Sequence, residues 1–292
     1  MASTGVVARI GVIGGSGLYQ MPEFTDAVEQ RIDTPFGPTS DAIVVGMLRG
    51  QQVAFLPRHG RGHVLTPSEV PYRANIYALK TLGVTHILSV SACGSLREAY
   101  APGHIVIPDQ LFDYTKNERG RSFFGNGLVA HVGVADPFCP SLSKLLAESC
   151  KAAGATVHGR GTFVTIEGPR FSTRGESKVW QTLGCDIIGM TTSPEAFLAR
   201  EAEIHYGVMA HVTDYDTWHG EPVSSDAVFK QLNANSELAQ RAISEAVSRI
   251  AAAQFDCGCD SALATAFATH KDRVSAEARQ RLQPIIGKYF DA

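Results

Sequence analysis

One pattern constrains the fold of this 292-residue chain more than any other: apolar runs of strand length stop at glycine, hydroxyl or acidic residues. Residues 6–13 run into Gly14-Gly15-Ser16-Gly17, and a hairpin of residues 42–48 and 52–56 delivers Pro57-Arg58-His59-Gly60. Residues 85–90 lead to Ser91-Ala92-Cys93-Gly94-Ser95, and residues 186–190 end at Met190-Thr191. Residues 204–212 end in Thr213-Asp214-Tyr215-Asp216, and two further strands are expected at 104–112 and 161–166. Segments of helical period fall between them, at 72–82, 141–153, 173–183, 224–253 and 274–290. Buried strands alternating with helices predict an α/β fold. Open α/β sheets bind ligands at the carboxyl ends of their strands, where these polar residues collect. With no repeat, linker or low-complexity stretch, one domain is expected over residues 1–292, its core at about 8–253 and a tail at 254–292.

Composition removes several classes of function. Basic and acidic residues number 26 and 29, a net charge of −3, so nucleic acid is not expected as a partner. No apolar run reaches the length of a membrane span, and residues 1–9 lack a basic-then-apolar signal region, so no membrane partner and a cytoplasmic location are expected. Of six cysteines, at 93, 139, 150, 185, 257 and 259, only Cys257-Gly258-Cys259 is a close pair. Without a second pair or a nearby histidine cluster, free thiols come first, then a tight or intersubunit disulfide, then a metal. Neither metal nor cofactor is expected.

The strand ends carry the chemistry. Residues 14–17 fit neither a dinucleotide fingerprint nor a Walker loop. They read as a tight turn, or as a cradle whose bare N–H groups and Ser16 hydroxyl hold a small anion. Arg58 beside His59 suits a phosphate, because a guanidinium donates two parallel charge-assisted bonds; the alternative is a solvated basic loop. Ser91 and Ala92 suit donation to an oxyanion, while Cys93 reads as a buried structural thiol. The turn Gly168-Pro169 projects Phe171 either as an aromatic face for a planar ring or into the core. His131, in the polar stretch 113–136, reads as a surface histidine. An isolated Asp214-x-Asp216 is most simply a solvated turn. The other strand ends change that: hydroxyls and an arginine suit phosphate, paired acids suit a heterocycle bearing N–H groups, and Met190 offers a soft apolar surface. That is the inventory for cleaving a nucleoside with inorganic phosphate.

Six stretches reinforce this reading by their order: 11–17, 57–60, 91–95, Thr165-Ile166-Glu167-Gly168-Pro169-Arg170-Phe171-Ser172, Met190-Thr191 and Thr213-Asp214-Tyr215-Asp216-Thr217-Trp218. From about Ile10 to Ile250 the chain resembles the trimeric purine nucleoside phosphorylase and methylthioadenosine phosphorylase family. The resemblance implies a nucleoside phosphorylase-like single domain, with a mixed, twisted central sheet flanked by helices. It also implies a homotrimer or a dimer of trimers, with sites near subunit boundaries. Ser16, Arg58, His59, Ser91, Ala92 and Thr191 would bind phosphate, a co-substrate, and Met190 would lie against the ribose. Phe171 would pack on the purine and Ser172 would help select it. His131 would reach a neighbour's 5′-subsite, and Val228 would line that pocket.

The acid pair then selects the base. Two carboxylates can accept from an exocyclic amine and, when one is protonated, donate to ring N7. A 6-oxopurine would leave one of those charges unpaired, and the oxopurine phosphorylases place Asn at the position of Asp214. The implied reaction is phosphorolysis of S-methyl-5′-thioadenosine, with Asp214 protonating N7 and Asp216 holding the 6-amino group. Ser225 stands where animal members carry an apolar residue beside the methylthio group, and the loop 219–222 is shorter, so adenosine is an additional expected substrate. Cys257-Gly258-Cys259 resembles a tail pair that some thermophilic members oxidise. The rival readings are a 6-oxopurine or methylthioinosine phosphorylase and a non-catalytic nucleotide- or anion-binding protein.

Overall fold

The computed structural model describes residues 8–116, 119–220 and 222–290, without the side chains of Ser16 and Tyr19. The first half supplies β1 (Ile10–Gly14), β2 (Thr25–Gln30), β3 (Ile43–Leu48), β4 (Gln51–Pro57), α1 (Tyr72–Thr81), β5 (His86–Ser95), β6 (Ile105–Val106) and β7 (Gln110–Tyr114). Then come α2 (Pro140–Ala152), β8 (Val157–His158), β9 (Thr162–Ile166), α3 (Arg174–Thr182), β10 (Ile187–Gly189), α4 (Thr192–Glu201) and β11 (His205–Asp214). The chain ends with α5 (Ser225–Ala234), α6 (Ser236–Ala252), α7 (Ala276–Arg281) and α8 (Gln283–Phe290).

All the strands join one mixed sheet, ordered β2-β3-β4-β1-β5-β10-β9-β7, with β11 on β5 and β6, and β8 on β6. Its centre is parallel: β1 pairs with β4 and with β5, and β5 pairs with β11 along nearly its full length. At its far end β5 meets β10 antiparallel, through Gly94 and Ser95. Central strands covered on both faces alternate between two cores. On β11, Tyr206, Val208, Ala210 and Val212 enter one core with α1, α4, α7 and α8. Met209 enters the other, with Leu142 and Leu146 of α2 and Ile243 and Val247 of α6. Each such fully buried aliphatic contributes about 1.5–3 kcal/mol. The α2 seat on β11 needs Gly207, where a Cβ would stand 2.8 Å from Leu146 Cδ1.

Several element boundaries differ from expectation, each for a local reason. The expected strand 85–90 continues to Ser95, so Ser91 and Ala92 lie within β5 rather than beyond it. The expected strand 104–112 is two short strands, β6 and β7, separated by a segment containing Pro108, which has no N–H to give a ladder. The expected helix 224–253 breaks at Asn235, which bonds back to Gln231 and Leu232 carbonyls and frees α5 to leave the line of α6. The expected helix 274–290 breaks at Leu282, two residues before Pro284, again for want of a donor. The exposed strand β2 and the two-residue β8 carry too little apolar pattern to be seen in the sequence.

Candidate active site

Parallel strands share one carboxyl edge, so the ends of β1, β4, β5 and β11 open onto a single cavity of about 650 Å³. Met190 and Thr191, just past β10, complete it, because β10 runs back against the end of β5. Phe171 and Ser172 reach it from the loop after β9, and Ser225 and Val228 from α5. One cavity therefore gathers His59, Ser91, Ala92, Thr191, Met190, Phe171, Ser172, Asp214, Asp216, Val228, Ser225 and Arg58. Gly14, Gly15 and Gly17 line it too, while the side chain of Ser16 lies outside the described residues. His131 does not line it. That residue is exposed, and its N–H donates to Ala266 O at 2.8 Å.

At the end lined by β1 and β4, burial and the Arg58 charge push the pKa of His59 down to about 4, so the imidazole is neutral at pH 7. Its Nδ1–H donates to Leu65 O at 2.8 Å, leaving Nε2 with a lone pair, and its ring stacks on His63 at 4.2 Å. Arg58 is placed differently from expectation. Its Nε and Nη2 grip Glu195, each at 2.8 Å, with further bonds to Ser89 Oγ at 2.6 Å and Val90 O at 3.0 Å. Glu195 also accepts from Ser89 and Tyr206. The fork expected to hold a phosphate holds a buried carboxylate instead, leaving one of its five N–H groups uncommitted among the described residues. An ion pair closed off from water in this way is strongly destabilised when one partner is removed, by about 3–5 kcal/mol.

At the other end, burial raises the pKa of Asp214, although the Thr213 hydroxyl and the Asp216 N–H oppose the shift by favouring its anion. Thr213 Oγ1 lies 2.7 Å from Asp214 Oδ2, and Asp216 N donates to Oδ1 at 2.8 Å. Burial raises the pKa of Asp216 as well. Asp216 sits at φ +47°, a left-handed turn that aspartate tolerates. Its Oδ2 is buried without a hydrogen-bond partner among the described residues, and so is Ser172 Oγ. Unpartnered buried polar atoms lining a cavity are sites for a ligand's complementary groups. The pair is packed tightly against β5: a Cβ on Gly94 would stand 2.9 Å from Asp214 Oδ1.

Three contributors carry no sequence signal. Arg119, one of several cations in a polar loop with Lys116 and Arg121, has a buried side chain that donates to Met190 O at 2.6 Å, Ser193 O at 3.0 Å and Glu167 Oε1 at 3.0 Å. It thereby ties the loop of Phe171 and Ser172 to the loop of Met190 and Thr191. Glu195 is the counter-ion of Arg58. His211 lines the cavity, is 1% exposed and has neither ring nitrogen bonded among the described residues; burial lowers its pKa to about 4.

Comparison with known proteins agrees with this geometry. The Phosphorylase superfamily model matches residues 9–248. The S-methyl-5′-thioadenosine phosphorylase of Chloroflexus aurantiacus is 55% identical over 285 residues, covering 97% of this chain and 99% of that one. The enzyme of that name from Hyperthermus butylicus is 50% identical over 264 residues, covering 89% and 96%. Among solved structures, a methylthioadenosine phosphorylase from an antarctic soil metagenomic library superposes with a TM-score of 0.93 at 50% identity, covering 96% of this chain and 99% of that one. An adenosine/methylthioadenosine phosphorylase variant from Schistosoma mansoni, solved with methylthioadenosine, gives 0.80 at 38% identity, covering 85% and 93%. Sequence, fold and site place this chain in the phosphorylase superfamily, among relatives that are S-methyl-5′-thioadenosine phosphorylases.

Proposed function

We propose that this protein cleaves S-methyl-5′-thioadenosine with inorganic phosphate, giving adenine and 5-methylthioribose 1-phosphate. The observation that carries the reading is the paired carboxylates of half-buried Asp214 and buried Asp216, sharing one cavity with His59, Ser91 and Thr191. Phosphate is a co-substrate, held by Ser16, His59, Ser91, Ala92, Thr191 and the uncommitted N–H of Arg58. As the C1′–N9 bond lengthens, the sugar gains oxocarbenium character and a phosphate oxygen bonds to C1′ from the opposite face. The bonding pair leaves on the purine, and Asp214 protonates N7. Burial favours a protonated Asp214, the form this step requires. The open Oδ2 of Asp216 accepts from the 6-amino group, Phe171 stacks on the base, Ser172 bonds to its edge, and Met190 lies against the ribose.

A homotrimer belongs to the same reading. His131 stands outside its own cavity, where it can serve a neighbouring subunit. The edge strand β7, helix α3 and its C-cap expose Phe112, Tyr114, Val179 and Leu183, an apolar face suited to burial between subunits. Val228 and Ser225 line the 5′ end, and the serine's polarity admits adenosine beside the methylthio substrate.

The test is release of the free base, adenine from methylthioadenosine and adenosine or hypoxanthine from inosine and methylthioinosine, with and without phosphate. Phosphate-dependent turnover of the 6-amino substrates is expected. Preference for the 6-oxo substrates, or release without phosphate, overturns the proposal. Asp214→Asn is expected to lower kcat by roughly 10²–10⁴-fold, the usual contribution of a positioned acid.

A further inference from the structure

At the opposite edge of the sheet from the cavity, four soft donors converge that are far apart in sequence. Cys139 is the N-cap of α2, His205 is the first residue of β11, and Cys257 and Cys259 flank Gly258 where the C-terminal tail begins. Their donor atoms all lie within 4.8 Å of one another. Cys257 Sγ is 3.3 Å from Cys139 Sγ, 3.4 Å from Cys259 Sγ and 3.2 Å from His205 Nδ1, and Cys139 Sγ is 3.4 Å from His205 Nδ1. A tetrahedron with bonds of about 2.3 Å to sulfur and about 2.0 Å to nitrogen has edges of roughly 3.5–3.8 Å, close to these separations. All six cysteines of the chain are unpaired thiols.

We propose that Cys139, His205, Cys257 and Cys259 form a structural zinc site that staples the C-terminal tail to the sheet. Three sulfurs and one imidazole are a soft donor set that selects zinc over magnesium or calcium. Four protein ligands leave no open position, which makes the site structural rather than catalytic. Binding releases three thiol protons as the thiolates form. The imidazole binds through the Nδ1 lone pair and keeps its proton on Nε2. Three thiolates and one Zn²⁺ leave a single negative charge, which the surroundings meet. Arg200 Nη1 donates to Cys259 Sγ at 3.4 Å, and Leu142 N–H donates to Cys139 Sγ at 3.4 Å. The His86 ring stacks on His205 at 4.5 Å and fixes its plane. The Cys-x-Cys pair alone pointed first to free thiols. Folding supplies the other half of the set, from a helix cap and a strand start more than 50 residues before it.

The test uses the full-length enzyme, purified under reducing conditions without chelator or metal-affinity resin, and measures its metal by plasma mass spectrometry. About one zinc per chain is expected, falling to below about a tenth in Cys257→Ser/Cys259→Ser and unchanged in Cys150→Ser, whose thiol lies outside the cluster. Because the double variant could fail to fold, the wild-type protein is also stripped and reloaded with Co²⁺. Strong tetrahedral d–d bands with thiolate-to-cobalt charge transfer are expected, together with a melting temperature several degrees above the stripped form. Substoichiometric zinc with no cobalt spectrum overturns the proposal, and so does a Cys139–Cys257 or Cys257–Cys259 disulfide in the reduced preparation.

Discussion

The role proposed for Asp214 depends on its neighbours, and the tightest of them is a residue without a side chain. Gly94 brings β5 up against the acid pair, so Gly94→Ala sets a methyl 2.9 Å from Asp214 Oδ1 and 3.1 Å from Ile188 Cγ2. Overpacking of this kind costs about 1–3 kcal/mol. Spent on displacing the proposed proton donor, it is expected to lower kcat by about 10–100-fold. Circular dichroism should remain native, and steady-state kinetics with unchanged turnover would refute the argument. At this scale the sequence was readable where a residue type has one evident chemistry. Asp214 and Asp216 were visible as an acid pair, and Ser91, Thr191 and Met190 as strand-end groups, and all of these line the cavity. Arg58 was legible as an arginine but not as one closed off by a carboxylate, because Glu195 lies 137 residues away. Arg119 and His211 were not legible at all: one cation among several in a polar loop and a histidine in an apolar strand each have many ordinary explanations.

Among the elements, α5 has an unusual position. It lines the cavity through Ser225, Val228, Phe229 and Leu232, yet none of its residues is buried. Its neighbour α6 buries Ala239, Ala242, Ile243, Ala246, Val247 and Ile250. A helix with no buried apolar face opens at little cost. Hydrogen exchange should therefore show α5 amides protected at least about tenfold less than those of α6, with protection rising when methylthioadenosine and phosphate are bound. Equal protection in the free enzyme would contradict this. The periodicity of residues 224–253 concealed the difference, since an unbroken helical pattern runs through Asn235. Which part of such a pattern is buried depends on what packs against it. The same limit hid the split of 104–112, while the central strands, α1 and α2 were evident because both their cores are strongly apolar.

For the whole molecule, one effect of pH on stability acts through histidines held neutral by burial, opposed by carboxyls such as Glu201, which burial pushes up to about 7. His59 and His211 each have pKa values near 4, below the ordinary 6.5. In both cases the folded value is depressed, so between pH 6.5 and 4 the unfolded chain binds more protons and stability falls with falling pH. Each contributes a slope of up to about 1.4 kcal/mol per pH unit in that window. Urea midpoints at pH 7, 6, 5 and 4 are expected to fall progressively, and Phe in place of His211 should flatten the curve. An unchanged slope in that variant would refute the assignment. A last consequence comes from the Arg58–Glu195 pair. Because this cation is neutralised inside the protein, the cradle at that end consists largely of dipoles and hydroxyls rather than net positive charge. Such a cradle gains little from long-range attraction, and dissolved ions screen only long-range attraction. The KM for phosphate should therefore change less than about threefold between 0.02 and 0.5 M potassium chloride, where a site built on exposed arginines would weaken severalfold more. The enzyme would then keep its grip on phosphate as the ionic strength of its medium changes.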